Sequence, residues 1–181
     1  KTEHQYLHRM EKFKKHINEI KDFPKEGILF KDINPIYKDP KKWNDLMLPL
    51  QKLISTLKPD YIVGIESRGF IAASALAFKL DIGFIPIRKA NKLPGKVIGI
   101  NYKLEYGEDR LEIQQNSIEK DRKIIVMDDL LATGGTASAA GKLIKEAGGI
   151  LVGYIFLVEL TKLQGRQNLD NNLSINSLIK Y

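Results

Sequence analysis

The stretch KIIVMDDLLATGGTASAA, residues 123–140, constrains the fold more than any other part of the chain. Ile124, Ile125, Val126 and Met127 form a short apolar run, and Asp128 and Asp129 end it. Such a run, followed by a glycine turn, reads as a strand buried on both faces. GGTASAAGKLIKEAG then reads as a helix closed by Gly148 and Gly149. A buried strand that feeds a helix through a tight turn is the repeating unit of a parallel sheet. The same signals recur. YIVGI is a strand, ESRGF turns into the helix IAASALAFKL, and IGFIPI, RLEIQQNSI and ILVGYIFLVEL are further strands. The order strand, helix, strand, strand, helix, strand predicts an α/β fold with a mainly parallel central sheet flanked by helices. In such sheets ligands sit beyond the C-terminal strand ends, where Asp128 and Asp129 stand.

The loop Ala132, Thr133, Gly134, Gly135 and Thr136 has the chemistry of a phosphate site. Glycine allows close backbone approach and positive φ, and the free N–H groups of the next helix face the ligand. Carboxylates repel phosphate, so Asp128 and Asp129 suit neighbouring hydroxyls or a hydrated Mg²⁺. A phosphate beside a diol describes a ribose 5-phosphate. A P-loop is excluded because Gly-Gly-Thr replaces Gly-Lys-Ser/Thr, and a dinucleotide fingerprint is absent.

Upstream of the sheet, residues 3 to 20 predict a charged helix with Leu7, Met10, Phe13, Ile17 and Ile20 on its apolar positions. His4 and His8 could share a face of it, but no third ligand is placed beside them, and they read as surface histidines. A second helix is predicted from Pro40 to about Leu57, capped by Asp39. Residues 88–106 read as polar and irregular, the composition of either a disordered segment or a functional lid.

At 181 residues the chain is expected to form one domain. Its net charge of +7 is spread along the sequence, and only KFKKH and KDPKKW cluster. Neither carries stacking aromatics, so the charge reads as a solvated surface with no nucleic-acid partner. The polar N-terminus reads as no secretory signal, and no apolar run is long enough to cross a membrane. With no cysteine, the expected location is cytoplasmic.

VMDDLLATGGTASAA resembles the phosphoribosyl pyrophosphate motif of type I phosphoribosyltransferases. DFPKEGILFKDINPIYKDP, YIVGIESRGF, IPIRKANKLPG, YKLEYGEDRLEIQ and LVELTKLQGR are similar, in order and spacing, to the adenine-specific members. The resemblance runs from about residue 22 to the end. It implies the type I fold, with an N-terminal helix and base-binding hood over residues 1–35 and a flexible lid over 89–110. The implied reaction makes AMP and diphosphate from adenine and phosphoribosyl pyrophosphate, in a homodimer.

The resemblance also implies roles. Ala132 to Thr136 would hold the 5-phosphate, and Asp128 and Asp129 would lie by the ribose hydroxyls. Glu66, Ser67 and Arg68 would form the pyrophosphate loop, with a cis bond at Glu66-Ser67, and Arg88, Lys89 and Lys92 would add charge. Many relatives have Asp in place of Glu66. Phe30 would stack on the purine while the backbone of Leu29 and Lys31 reads its edge; core packing is the alternative for Phe30. Glu105 would be the general acid/base on the lid, beside Tyr106. Mg²⁺ would be held mainly by substrate and water. Rival readings are a transferase for another base and a non-catalytic regulator that senses phosphoribosyl pyrophosphate.

Overall fold

The computed structural model of the chain describes residues 10–104 and 107–181. Contacts group it into two compact units, residues 1–50 and 51–181.

In the first unit, Met10, Phe13 and Ile17 are buried at helical spacing. The helix predicted to reach residue 20 nevertheless stops early. A 3₁₀ turn, Lys14–His16, follows, and Ile17 is already extended at φ −98°, ψ 122°. The three buried side chains keep their spacing through the turn, while Ile20 is exposed and lies in a strand. That strand, β1 (Asn18–Lys21), pairs antiparallel with β2 (Leu29–Asp32), with Ile20 opposite Phe30. A short helix, α1 (Asn34–Lys38), precedes α2 (Pro40–Leu57). The cap of α2 is as predicted: Asp39 Oδ1 accepts from the N–H groups of Lys41 at 3.0 Å and Lys42 at 3.1 Å. Pro49 sits inside α2, where its missing N–H removes one helical bond. Leu46, Met47, Leu50 and Ile54 are buried along it.

In the second unit, among the described residues, seven strands form one sheet in the order β5-β6-β4-β3-β7-β8-β9. They are β3 (Tyr61–Ile65), β4 (Gly83–Lys89), β5 (Val97–Lys103), β6 (Glu108–Gln114), β7 (Lys123–Leu131), β8 (Ile150–Glu159) and β9 (Ser174–Lys180). β4, β3, β7, β8 and β9 run parallel, and the β5–β6 hairpin joins β4 antiparallel. Helix α3 (Gly69–Leu80) connects β3 to β4, and α4 (Gly135–Glu146) connects β7 to β8.

Both faces of the sheet are covered, which is why its inner strands are apolar throughout. Val63, Ile65 and Val126 belong to the core that includes Ala137, Ala140, Leu143 and Ile144 of α4. On the other face α3 sits close enough that a methyl group on Gly64 would lie 3.0 Å from the Ala73 methyl. From β3 the chain crosses to β4 on one side, and from β7 to β8 on the other. The sheet therefore reverses between β3 and β7, and at such a switch point the loops part and leave a crevice.

The segment read as irregular over 88–106 is largely strand β5. Its alternation of Ile98, Ile100 and Tyr102, all packed on the core, is a strand period that the surrounding lysines obscure. Strand β7 runs on to Leu131, so Asp128 and Asp129 lie within it. Among the described residues no helix is long and apolar enough to cross a membrane.

Candidate active site

The loop after β7 turns at Gly134, whose φ of +83° an L side chain rarely adopts. A Cβ there would also meet the Gly165 carbonyl oxygen at 2.3 Å. Helix α4 starts at the next residue, so its unpaired N–H groups face the space in front of the loop. Residues 128–137 and Arg68 line a pocket of about 190 Å³ there.

A second pocket of about 310 Å³ lies at the switch point, lined by Glu66, Ser67, Arg68, Lys89, Asp128, Asp129 and Thr136. The two pockets share Arg68, Asp128, Asp129 and Thr136, so they form one continuous crevice over the ends of β3 and β7. The bond between Glu66 and Ser67 is cis, as the resemblance implied. Arg68 Nε donates to Asp129 Oδ2 at 2.6 Å and spans the crevice from one loop to the other. Asp128 Oδ1 accepts from the Asp129 N–H at 2.8 Å. Burial pushes the Asp128 carboxyl well above its usual range, the Asp129 charge adds to this, and Arg68 opposes it. The shift favours the neutral form of the Asp128 carboxyl, which lessens repulsion of an approaching polyanion.

Arg88 grips Glu66 with both arms of its guanidinium, at 3.2 and 3.1 Å, and also donates to the Lys92 carbonyl at 3.2 Å. Glu66 accepts a further bond from the Lys89 N–H at 2.8 Å. Burial opposes the Glu66 charge, but these bonds outweigh it and hold the carboxyl below its usual range. Glu66 and Arg88 therefore orient the loops, and Arg68 and Lys89 are the cations that line the crevice. Lys89 Nζ contacts Asp109 and lies 3.0 Å from the Tyr102 hydroxyl. That hydroxyl is 3.4 Å from Thr136 Oγ1, so the β5–β6 hairpin meets the phosphate loop at its base.

In the first unit the β1–β2 ribbon carries Leu29, Phe30 and Lys31. The Phe30 ring meets Phe23 edge-on, with centroids 5.0 Å apart, in place of the deep core packing that was its alternative. Lys31 pairs with Glu19 across the ribbon. β2 pairs with β1 alone among the described strands.

The structure thus gathers Ser67, Arg68, Lys89, Asp128, Asp129, Ala132, Thr133, Gly134, Gly135 and Thr136 around one crevice. Arg88 and Lys92 do not line it; they stand behind it, around Glu66. Glu105 and Tyr106 lie outside the described residues, between β5 and β6, as do His4 and His8. Sequence reasoning missed Tyr102 and Asp109, which buttress Lys89, and Gly165 and Asn168, which back the phosphate loop. For Tyr102, Asp109 and Gly165 the only signal was the resemblance of the quoted segments that hold them, and Asn168 lies just beyond the last of these.

Residues 36–177 match the phosphoribosyl transferase domain. An adenine phosphoribosyltransferase of Prochlorococcus marinus (strain NATL1A) is 75% identical over 172 residues, 95% of this chain and 100% of its own length. The crystal structure of adenine phosphoribosyltransferase from Thermoanaerobacter pseudethanolicus superposes with a TM-score of 0.91 at 46% identity, over 95% of this chain and 99% of that one. The Saccharomyces cerevisiae enzyme, complexed with an imino-altritol bisphosphate and adenine, gives 0.87 at 40% identity, over 97% and 99%. A glycine-turned phosphate loop at the switch point of a parallel sheet, in a chain this similar to those proteins, places it in the phosphoribosyltransferase family, among the adenine phosphoribosyltransferases.

Proposed function

We propose that this chain transfers the phosphoribosyl group of phosphoribosyl pyrophosphate to adenine, with AMP and diphosphate as products. The observation that carries this reading is the crevice itself. It has helix N–H groups and glycine for a phosphate, two carboxylates for a diol, and Arg68 and Lys89 for a diphosphate, side by side. The base is adenine because the similar proteins are adenine enzymes, one of them with adenine in its crystal.

N9 of adenine attacks C1 of the ribose as the bond from C1 to the diphosphate oxygen breaks, and the N9 proton leaves to a base. Glu105 is the proposed base, on its resemblance alone. Residues Ala132 to Thr136 hold the 5-phosphate, and Asp128 and Asp129 accept from the ribose hydroxyls. Arg68 turns from Asp129 to the diphosphate, where its fixed fork suits two oxygens. Asp109 and Tyr102 hold the Lys89 ammonium, which faces the same group, while Glu66 fixes the Lys89 backbone. Phe30 stacks on the purine, and the backbone of Leu29 and Lys31 reads its amine and ring nitrogen, on their resemblance. Tyr106 stands next to Glu105 in sequence and shares the lid.

Mg²⁺ fits as a partner of the substrate. Among the described residues no three His, Cys, Asp or Glu side chains converge, and both aspartates are already hydrogen-bonded. Mg²⁺ would be held mainly by the substrate and water and would neutralise charge on the leaving group.

We also propose a cytoplasmic homodimer. The cysteine-free sequence suits a reducing compartment, and Ile71 and Phe78, 41% and 90% exposed, are seven residues apart on α3 and leave one apolar face for a partner. Light scattering of the parent and of Phe78→Glu tests this: a dimer that the variant dissociates supports it, and a monomeric parent contradicts it.

The function is tested by incubating the protein with phosphoribosyl pyrophosphate, Mg²⁺ and one base at a time. Formation of AMP from adenine, with far slower turnover of hypoxanthine, xanthine and orotate, is the expected result. Binding of phosphoribosyl pyrophosphate with no nucleotide formed would favour the regulator, and IMP formed at the same rate as AMP would remove the adenine assignment.

A further inference from the structure

The phosphate loop consists of Ala132, Thr133, Gly134 and Gly135, whose side chains are too small to hold the loop still. An anion site made of backbone N–H groups works only if those groups are aimed before the ligand arrives. The structure holds the loop from behind, through the segment LVELTKLQGR, which otherwise has no role in the chemistry.

We propose that the Glu159–Arg166 pair, acting through the turn Gly165–Asn168, is the positioning element of the 5-phosphate subsite. The proposal rests on the function proposed above.

Four contacts join this turn and its approach to the loop. The Gly165 carbonyl oxygen is 2.3 Å from where a Cβ on Gly134 would stand. A Cβ on Gly165 would in turn meet the Ala132 carbonyl oxygen at 2.4 Å, so the two backbones touch with no room for a side chain on either. Asn168 Nδ2 donates to the Thr133 carbonyl at 2.6 Å. The Leu160 N–H donates to the Leu131 carbonyl at 3.0 Å.

The turn is itself anchored. Arg166 donates from Nε to Glu159 Oε1 and from Nη2 to Glu159 Oε2, both at 2.8 Å. Its Nη1 donates to the Ile175 carbonyl at 2.8 Å, and Nη2 to Ser177 Oγ at 3.1 Å. One guanidinium therefore ties the turn to the end of β8 and to β9. Glu159 is 4% exposed. Burial opposes its charge, and the bonds from Arg166 and Ser177 outweigh that, so its carboxyl stays below the usual range. A buried pair of this kind adds little net stability compared with apolar residues, but it fixes one geometry. The rigid sheet is thereby coupled to four ligand-facing residues that could not orient themselves.

Two variants test this. Asn168→Ala removes one donor at an exposed position and leaves the core untouched. Arg166→Lys keeps the charge but loses the fork. For parent and variants, calorimetry gives the Kd of ribose 5-phosphate, and steady-state kinetics give the KM of each substrate and kcat. The expected result is a several-fold weaker Kd for Asn168→Ala and about tenfold or more for Arg166→Lys, the scale of a displaced binding group. The KM for phosphoribosyl pyrophosphate should rise with it, while kcat at saturation and the KM for adenine stay within about twofold of the parent. Unchanged Kd values with a lowered thermal midpoint would mean the pair serves stability alone and would overturn the proposal. A parent that does not bind ribose 5-phosphate would overturn the function as well, so the two failures are separable.

Discussion

Between Asp128 and Thr136 a ligand would meet backbone N–H groups and short side chains on a loop that begins inside a seven-stranded sheet and is backed by Gly165 and Asn168. Between Leu29 and Lys31 it would meet one edge and one face of a two-stranded ribbon, where Leu29 is 42% exposed. Leu29 and Phe30 give that ribbon apolar side chains, which suit the flat face of a base. The phosphate loop gains nothing from adjusting. Its target, a phosphate, is the same in every substrate of this chemistry, so a fixed, preorganised nest binds it with the least reorganisation. On the function proposed above, the difference assigns the invariant part of the ligand to the sheet and the variable part to an appended ribbon.

The variant that should separate the two regions most is Gly134→Val. A branched side chain at φ +83°, aimed at the Gly165 carbonyl, must move the loop. We expect a loss of roughly 10²-fold or more in kcat/KM for phosphoribosyl pyrophosphate, the scale of a reacting group misplaced by about 1 Å. Circular dichroism should give the parent's spectrum.

Glu105→Gln belongs to neither region. It should lower the rate of the chemical step by ~10²-fold with substrate affinities preserved, because glutamine keeps the shape but carries no proton. Single-turnover kinetics measures that step, and a rate within about twofold of the parent would exclude Glu105.

Phe30→Ala should be smaller and opposite in kind. Losing one stacked ring weakens adenine by about tenfold, at ~1–3 kcal/mol per base, and leaves ribose 5-phosphate affinity unchanged. Equilibrium titration with each ligand measures both.

The smallest effect is on stability. Asp128 has a folded pKa above its unfolded value of 3.8, so the folded chain keeps a proton that the unfolded chain loses. Rising pH therefore destabilises the fold through this group, from about pH 4 upward. Asp128→Asn removes that dependence and should raise the thermal midpoint by a few degrees at neutral pH, with less gain near pH 4, while weakening the ribose. Glu159 has the opposite sign. Its depressed carboxyl contributes stability above its ordinary value of 4.5, and this is lost as the pH falls through the folded value. A gain for Asp128→Asn that is equal at both pH values would contradict the first assignment.

The parallel sheet and the phosphate loop were legible because their signals are local. β-Branched runs, a glycine pair and an acid pair sit within a few residues of one another in KIIVMDDLLATGG. The cap of α2 was legible for the same reason, since Asp39 and Pro40 are adjacent. The N-terminal helix was drawn too long because buried Phe13 and Ile17 keep a helical spacing across a 3₁₀ turn. Strand β5 was hidden by Lys92 and Lys96 before it and by Gly99, Asn101 and Lys103 along it, and β9 has too few apolar residues to announce itself. The β1–β2 ribbon carries no local signature, and its role came from resemblance alone. Arg88 read as a pyrophosphate cation because sequence gives its charge but not its partner, and the partner is Glu66, 22 residues away. Gly165 and Arg166 were quoted without a role, since only the folded chain puts them behind Gly134.

The central claim is that sheet and ribbon bind different parts of one reaction independently. It is tested most directly by titrating ribose 5-phosphate and adenine, each alone, into the parent, Gly134→Val and Phe30→Ala. The account predicts a crossed pattern: Gly134→Val loses ribose 5-phosphate and keeps adenine, and Phe30→Ala does the reverse. Parallel losses of both ligands in both variants would contradict it.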